Sequence, residues 1–108
     1  MKSWMVLLCS VLTVTALGQG YKPKSGYVPD SGTAVKIAEA VLIPVYGEKQ
    51  IESERPFTAK LKDDVWTVTG TLRCPDEKGG TTTSCDGGVA EVRLAKNDGR
   101  VLYMMHGK

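Results

Sequence analysis

The residues with the greatest capacity for chemistry are two cysteines and one histidine. Cys74 and Cys85 enclose ten residues that are nearly all polar or glycine, and His106 is the only histidine of the chain. A structural zinc site normally requires four ligands, and the cysteine spacing is not that of a C-x-x-C redox motif. A metal knuckle and a redox site are therefore both disfavoured, which leaves a polar loop closed at its base by a disulfide.

The first residues predict the compartment in which these cysteines would pair. Lys2 precedes an apolar run from Trp4 to Leu17, which is shorter than the about 20 apolar residues that a membrane span requires. Small residues follow, so residues 1–18 are predicted to be a cleaved secretory signal peptide, with an uncleaved anchor as the alternative. Export leaves two cysteines in an oxidising compartment, which favours a disulfide between Cys74 and Cys85.

Length and charge restrict the remaining chain to one small domain. The full chain has 108 residues and a formal net charge of +2, which is too short for two ordinary domains. It has no basic stripe of the kind that binds nucleic acid, and no membrane contact is expected after signal removal. Residues 19–29, rich in Gly, Pro and Lys, predict an extended lead-in that docks through Tyr21 or Tyr27. Residues 30–108 form the predicted domain.

A helix is predicted at the start of this domain. Asp30 or Ser31 can accept hydrogen bonds from its first turn, and Gly47 is a suitable end. A second short turn is predicted over Glu48 to Ile51. The apolar residues of the helix recur at steps of three and four, which predicts one buried stripe; it consists of Ala34, Ile37, Ala38, Val41, Leu42 and Val45.

Beyond the helix the apolar residues alternate with a period of two, which predicts strands. A short turn at Asp63–Asp64 and the Asn-Asp-Gly turn after Lys96 predict two hairpins. Cys74 is expected to end the second strand, so that the disulfide ties the two hairpins together. The predicted fold class is α+β, one N-terminal helix packed on a curved four-stranded antiparallel sheet; the predicted strands cover residues 57–62, 65–73, 89–95 and 101–105.

No set of residues has the spacing of an active site. Nucleophilic catalysis requires a base beside Ser, Cys or Thr, and His106 is interpreted as a surface or edge-strand histidine. The acidic residues of the turn and of the cysteine loop are too few and too irregular for calcium. No catalytic residue, metal or cofactor is predicted, and Trp66 is assigned to the core. A small exported domain of this type most often binds a partner through exposed loops.

Several segments resemble the NTF2-fold immunity protein family. They are the helix TAVKIAEA with PVYG at its end, the strands RPFTAKL and VWTVTGTL, and the closing GGVAEV, KNDGRV and HGK. The likeness covers about residues 26–108. It does not include the segment between Cys74 and Cys85, which is not recognised as a shared feature.

The resemblance implies a compact NTF2-like or cystatin-like cone and a protein that binds a cognate bacterial toxin and blocks it sterically in the cell envelope. It implies no catalytic residues. The predicted signal peptide adds a periplasmic location, and a monomer or small homo-oligomer is expected. The partner-binding candidates combine apolar anchors with charged rim groups. The anchors are Tyr103, Met105 and His106, and the rim groups are Asp63, Asp64, Asp76, Glu77 and Asp86.

Two other classes of function are consistent with parts of the sequence. The closing VAEVRLAKNDGRVLYM is similar to the strand–DG–strand hairpin of PepSY-like exported domains, which are thought to restrain proteases or to serve in envelope sensors. An enzyme is the third class, because full-length NTF2-like cones often hold active sites. An enzyme would require an acid or base pair lining a deep cavity.

Overall fold

The computed structural model of the chain describes residues 18, 20–75, 81–82 and 87–107. The predicted signal peptide before Gly18 and the residues Asp76, Glu77, Cys85 and Asp86 lie outside this range. The described elements, in chain order, are α1 (Ser31–Tyr46), α2 (Glu48–Ser53), β1 (Thr58–Lys62), β2 (Val65–Thr69), β3 (Cys74–Pro75), β4 (Thr81–Thr82), β5 (Ala90–Ala95) and β6 (Val101–His106).

The main sheet has four strands in the order β1–β2–β5–β6, and all neighbours are antiparallel. The two helices pack on one face of this sheet, with α1 contacting β1, β2 and β5. The predicted α+β class is therefore confirmed, with the predicted turn at Glu48 forming a second helix. None of the described helices is long and apolar enough to cross a membrane.

Helix α1 begins and ends at the residues that its caps predict. The Asp30 carboxylate accepts a hydrogen bond from the Thr33 amide at 2.7 Å, which lowers the pKa of Asp30 below its ordinary value. Gly47 has a φ of 94°, a conformation that favours glycine, and its amide donates to the carbonyl of Ile43 at 2.8 Å. A side-chain cap at Asp30 and a backbone hydrogen bond at Gly47 thus define the two ends of the helix.

The buried stripe of α1 differs from the prediction at its last residue. Ala34, Ala38 and Leu42 are buried at steps of four, but Val45 is exposed. Tyr46 continues the steps of four and packs against the core in the place assigned to Val45. The stripe therefore turns slightly around the helix, as expected for 3.6 residues per turn.

Alternate residues of β2 and β5 form the sheet side of the core. Trp66 pairs with Leu94 and Val68 with Val92, and all four are buried. The assignment of Trp66 to the core is confirmed. Because successive side chains of a strand point to opposite faces, the residues between them lie on the other face of the sheet.

The lead-in docks through its backbone and Val28. The amides of Tyr27 and Val28 donate to the carbonyls of Asn97 and Lys96, and the Trp66 indole donates to the Val28 carbonyl at 2.8 Å. Val28 is fully buried, whereas the rings of Tyr21 and Tyr27 are exposed. Tyr27 takes part in the docking through its backbone amide, while the side chain that fills the core here is that of Val28.

Strand β2 is shorter than predicted and Cys74 does not belong to it. The strand ends at Thr69, the Gly70 amide still donates to the carbonyl of Ala90 at 3.0 Å, and the Thr71 amide donates to the carbonyl of Glu54 at 2.7 Å. Cys74 lies in β3, which forms a small two-stranded ribbon with β4. The pairing of Cys74 with Cys85 stays a prediction, because Cys85 lies outside the described residues.

Truncation of a buried residue of α1 tests the assigned stripe. Leu42→Ala removes a fully buried side chain and is expected to lower the free energy of unfolding by about 2–5 kcal/mol. Val45→Ala in the same helix is expected to change it by less than about 0.5 kcal/mol, because Val45 is exposed. Urea denaturation followed by circular dichroism measures both. Equal losses would contradict the assigned stripe.

Candidate functional site

The sheet face opposite the helices carries a mixed basic and aromatic surface, here termed the open face. The strand register places Lys60, Thr67, Arg93 and Tyr103 in one row across all four strands, and Thr58, Thr69, Glu91 and Met105 in the next. The open face consists of these eight residues and Lys62. Since the strands alternate, these side chains lie on the face that does not contribute to the core.

Arg93 organises the exposed edge of this surface. Its Nε and Nη2 atoms donate to the Glu91 carboxylate at 3.0 Å, and its guanidinium carbon lies 4.7 Å from the centre of the Tyr103 ring. A cation–π contact at an exposed site contributes about 0.5–1 kcal/mol. The contacts orient a tyrosine that remains 44% exposed, and oriented Tyr and Arg side chains are common at the energetic centres of protein interfaces.

The predicted binding residues are only partly brought together. Tyr103 and Met105 are exposed on β6 and project from the open face, as an anchor requires. Asp63 and Asp64 are exposed in the β1–β2 turn, with φ values of 52° and 60°. They belong to the hairpin at the opposite edge of the sheet, and strands β1 and β6 are about 14 Å apart at ordinary strand spacing. Asp76, Glu77 and Asp86 lie outside the described residues.

His106 differs most from its predicted environment. Its ring is half-buried, its Nε2 atom lies 2.8 Å from Oε2 of Glu54, and its Nδ1 atom lies 2.6 Å from the Gly107 carbonyl. The ring centre is 5.2 Å from that of Tyr46. His106 does lie on an edge strand, but it has a carboxylate partner and faces the helices. It is therefore not an exposed anchor of the kind predicted.

Glu54, which the sequence analysis did not single out, is the centre of this arrangement. It is only 4% exposed. Its Oε1 accepts from the amide of Ala90 at 2.6 Å, and its Oε2 accepts from Gln50 and His106, each at 2.8 Å. The carboxylate joins the end of α2 to the start of β5 and the end of β6. It lies in the polar run ESER between a helix and a strand, where no periodic pattern indicates burial.

The two partners shift each other's protonation. Burial raises the pKa of Glu54, but hydrogen bonds from Ala90, Gln50 and His106 together hold it below its ordinary value of 4.5. The hydrogen bond to Glu54 raises the pKa of His106 above its ordinary value of 6.5, with burial opposing it. Both carbonyl and carboxylate neighbours accept hydrogen bonds, so the geometry suits an imidazolium that donates from both ring nitrogens.

The Glu54–His106 pair, here termed the latch, has a structural geometry, since it connects the end of α2 to β5 and β6. A general base requires a ring nitrogen with a free lone pair in reach of a substrate, and both nitrogens of His106 are engaged within the protein. Two grooves of about 630 Å³ and 180 Å³ lie elsewhere, one between α1 and β1 and one beside Asp64 and Lys96. Among the described residues, no three His, Cys, Asp or Glu side chains are grouped to hold a metal ion.

The described residues form a small α+β domain with one sheet face covered by helices and the other exposed. Residues 33–108 match the family described as NTF2 fold immunity protein, and the chain belongs to that family. This confirms the resemblance drawn from the helix and strand motifs.

The chain is also similar to a curated protein. It is 31% identical over 81 residues, or 75% of its own length, to the uncharacterized protein YhhH of Escherichia coli (strain K12). The match spans 58% of that protein's length. No solved structure matches the chain.

The pKa shifts of Glu54 and His106 predict that the free energy of unfolding has a maximum with pH. The contribution from His106 is fully present below pH 6.5 and is lost as the pH rises through its higher folded pKa. The contribution from Glu54 is present above pH 4.5 and is lost as the pH falls through its lower folded pKa. The stabilising effect of the pair is therefore greatest between about pH 4.5 and 6.5, and urea denaturation from pH 5 to 9 measures its loss on the alkaline side.

Two variants identify the source of this loss. His106→Gln is expected to flatten the profile between pH 5.5 and 8.5, because it removes the only histidine of the chain. Glu39→Gln, which removes a carboxylate paired with exposed Arg55, is expected to keep the wild-type slope. A profile of His106→Gln that still falls as steeply as the wild type would exclude the latch.

Proposed function

We propose that the chain is an exported immunity protein that binds a cognate toxin in the cell envelope and blocks it sterically, with the open face as its contact surface. Membership of the NTF2 fold immunity protein family supports neutralisation of a toxin. The Arg93–Tyr103 pair is the observation that supports the open face as the contact surface, since it presents an oriented aromatic ring beside exposed Met105.

The charges of the open face indicate which charge and shape are expected on the toxin surface. Lys60 and Lys62 are cationic and exposed, whereas the charges of Arg93 and Glu91 are paired with each other. Complementary charge speeds association and fixes the register of an interface. The expected counterpart is an acidic surface with an apolar recess for Tyr103.

The size of the open face sets a limit on the interface. Four strands of up to six residues present a surface of roughly 14 by 20 Å, or about 300 Å². A stable interface buries about 800 Å² on each partner. The toxin contact therefore extends beyond this face, and the exposed Asp63 and Asp64 of the adjacent turn are available as its rim.

The predicted signal peptide over residues 1–18 supports placing this activity in the envelope. A protein that is exported to the compartment in which its toxin acts can intercept the toxin there. The two cysteines that remain after signal removal would strengthen a small domain in an oxidising environment, where a disulfide typically contributes about 2–4 kcal/mol.

A survival assay tests the proposed function. The full chain, with its leader, is co-expressed with the product of the adjacent gene directed to the periplasm. Growth is expected to be restored only when both proteins are exported, and a stable complex is expected to be recovered. A neighbour that kills regardless of this protein would overturn the proposal, as would protection by a form lacking the leader.

The anchor role of Tyr103 is tested by a matched pair of tyrosines. Tyr103→Ala is expected to weaken toxin binding at least tenfold, because truncation of a central aromatic anchor commonly costs 2 kcal/mol or more. Tyr27→Ala is the control, since Tyr27 is 48% exposed and lies in the lead-in. Its affinity is expected to stay within about threefold of the wild type. Isothermal titration calorimetry measures both, and equal effects would remove the open face as the contact surface.

A further inference from the structure

Strand β6 is an unprotected edge of the main sheet. It is the last strand in the order β1–β2–β5–β6, so no described strand pairs with its outer side. Its sequence VLYMMH contains no Lys, Arg, Asp, Glu or Pro. Four of its six residues are exposed apolar side chains, namely Val101, Leu102, Tyr103 and Met105.

The opposite edge, β1, is protected. Its sequence TAKLK carries Lys60 and Lys62, both exposed. Charged side chains, especially lysine, are a common means by which proteins prevent unwanted pairing at sheet edges, and a long apolar edge without them invites pairing with another chain. One edge of the same sheet is thus guarded against association and the other is not.

We propose that β6 pairs antiparallel with β6 of a second copy of this chain, about a twofold axis. The pairing is self-complementary, because a neutral apolar strand brings no like charges together when it meets itself. A twofold interface also uses the same surface on both copies, so the assembly stops at a dimer. The resulting sheet of eight strands would end in β1 on both sides, so that only lysine-guarded edges remain.

The charges that flank β6 are already neutralised within one chain. Arg100, just before the strand, is bound to the Asp98 carboxylate at 2.9 Å. His106, at the end of the strand, faces Glu54 at 2.8 Å and pairs across the ladder with buried Ala90. Neither cation therefore has to be brought unpaired against its copy. By contrast, pairing of β6 with β1 of another copy would place Lys60 and Lys62 along an apolar strand.

The dimer would join two open faces into one surface. Tyr103 of each copy would lie near the axis, and the combined face would measure roughly 600 Å² by the same strand spacing. That area approaches the about 800 Å² per partner that a stable interface buries. The dimer does not depend on toxin binding, and it can be tested without a toxin.

Two leucines of equal exposure provide the test. Leu102 on β6 and Leu61 on β1 are each 45% exposed. Light scattering after size exclusion is expected to give twice the chain mass for the wild type and for Leu61→Lys, and the single mass for Leu102→Lys. Circular dichroism verifies that both variants are folded. Because one side of β6 already pairs with β5, the informative amides are those that point away from β5. In hydrogen exchange these outward amides are expected to be protected in the wild type and at least tenfold less protected in Leu102→Lys.

Each other result overturns the proposal. A wild-type protein that is monomeric at 100 µM, and whose outward β6 amides exchange rapidly, has no paired edge. Loss of the dimer in both variants would place the interface elsewhere, and masses above a dimer would indicate an open association. Protection of β6 that appears only when toxin is added would assign this edge to the toxin, while leaving the proposed immunity function intact.

Discussion

The buried carboxylate of Glu54 is the interaction on which one whole end of the fold depends. Its side chain accepts hydrogen bonds from β5, β6 and its own helix. Its backbone carbonyl accepts a hydrogen bond from the Thr71 amide, just after β2. Gly70 makes room for it, since a Cβ at this position would lie 3.0 Å from the Glu54 side chain. A buried charge without such partners would be strongly destabilising, so burial of Glu54 requires these elements to be in place around it.

This arrangement separates the face of the sheet that holds the fold from the open face that is proposed to meet a partner. His106 fixes the end of β6 on the core side, and Tyr103 projects from the other side of the same strand. A contact residue on a strand whose end is anchored loses little freedom on binding, and preorganised side chains cost less to immobilise. Under the proposed function, the buried latch would contribute to binding by holding the strand that carries Tyr103.

The sequence predicted the elements better than it predicted how they meet. Local signals were sufficient for α1, where Asp30 and Gly47 define the ends, and for the alternation that buries Trp66 and Val68. The Glu54–His106 contact joins residues 52 positions apart, and no local pattern records such a pair. The early departure of the chain after Thr69 has the same origin, because the hydrogen bond from Thr71 to Glu54 is a property of the folded chain.

The alternation of side chains in a single-layer sheet has a consequence for how this protein can diverge. Residues such as Arg93 and Tyr103 contact the surroundings, and their immediate neighbours Val92 and Met104 pack against the core. Substitutions at every second position can therefore change the partner without disturbing the fold. An inserted or deleted residue within a strand would exchange the two faces. New specificities in this family should consequently arise by point substitution in the strands, and changes in length should be confined to the connections between them.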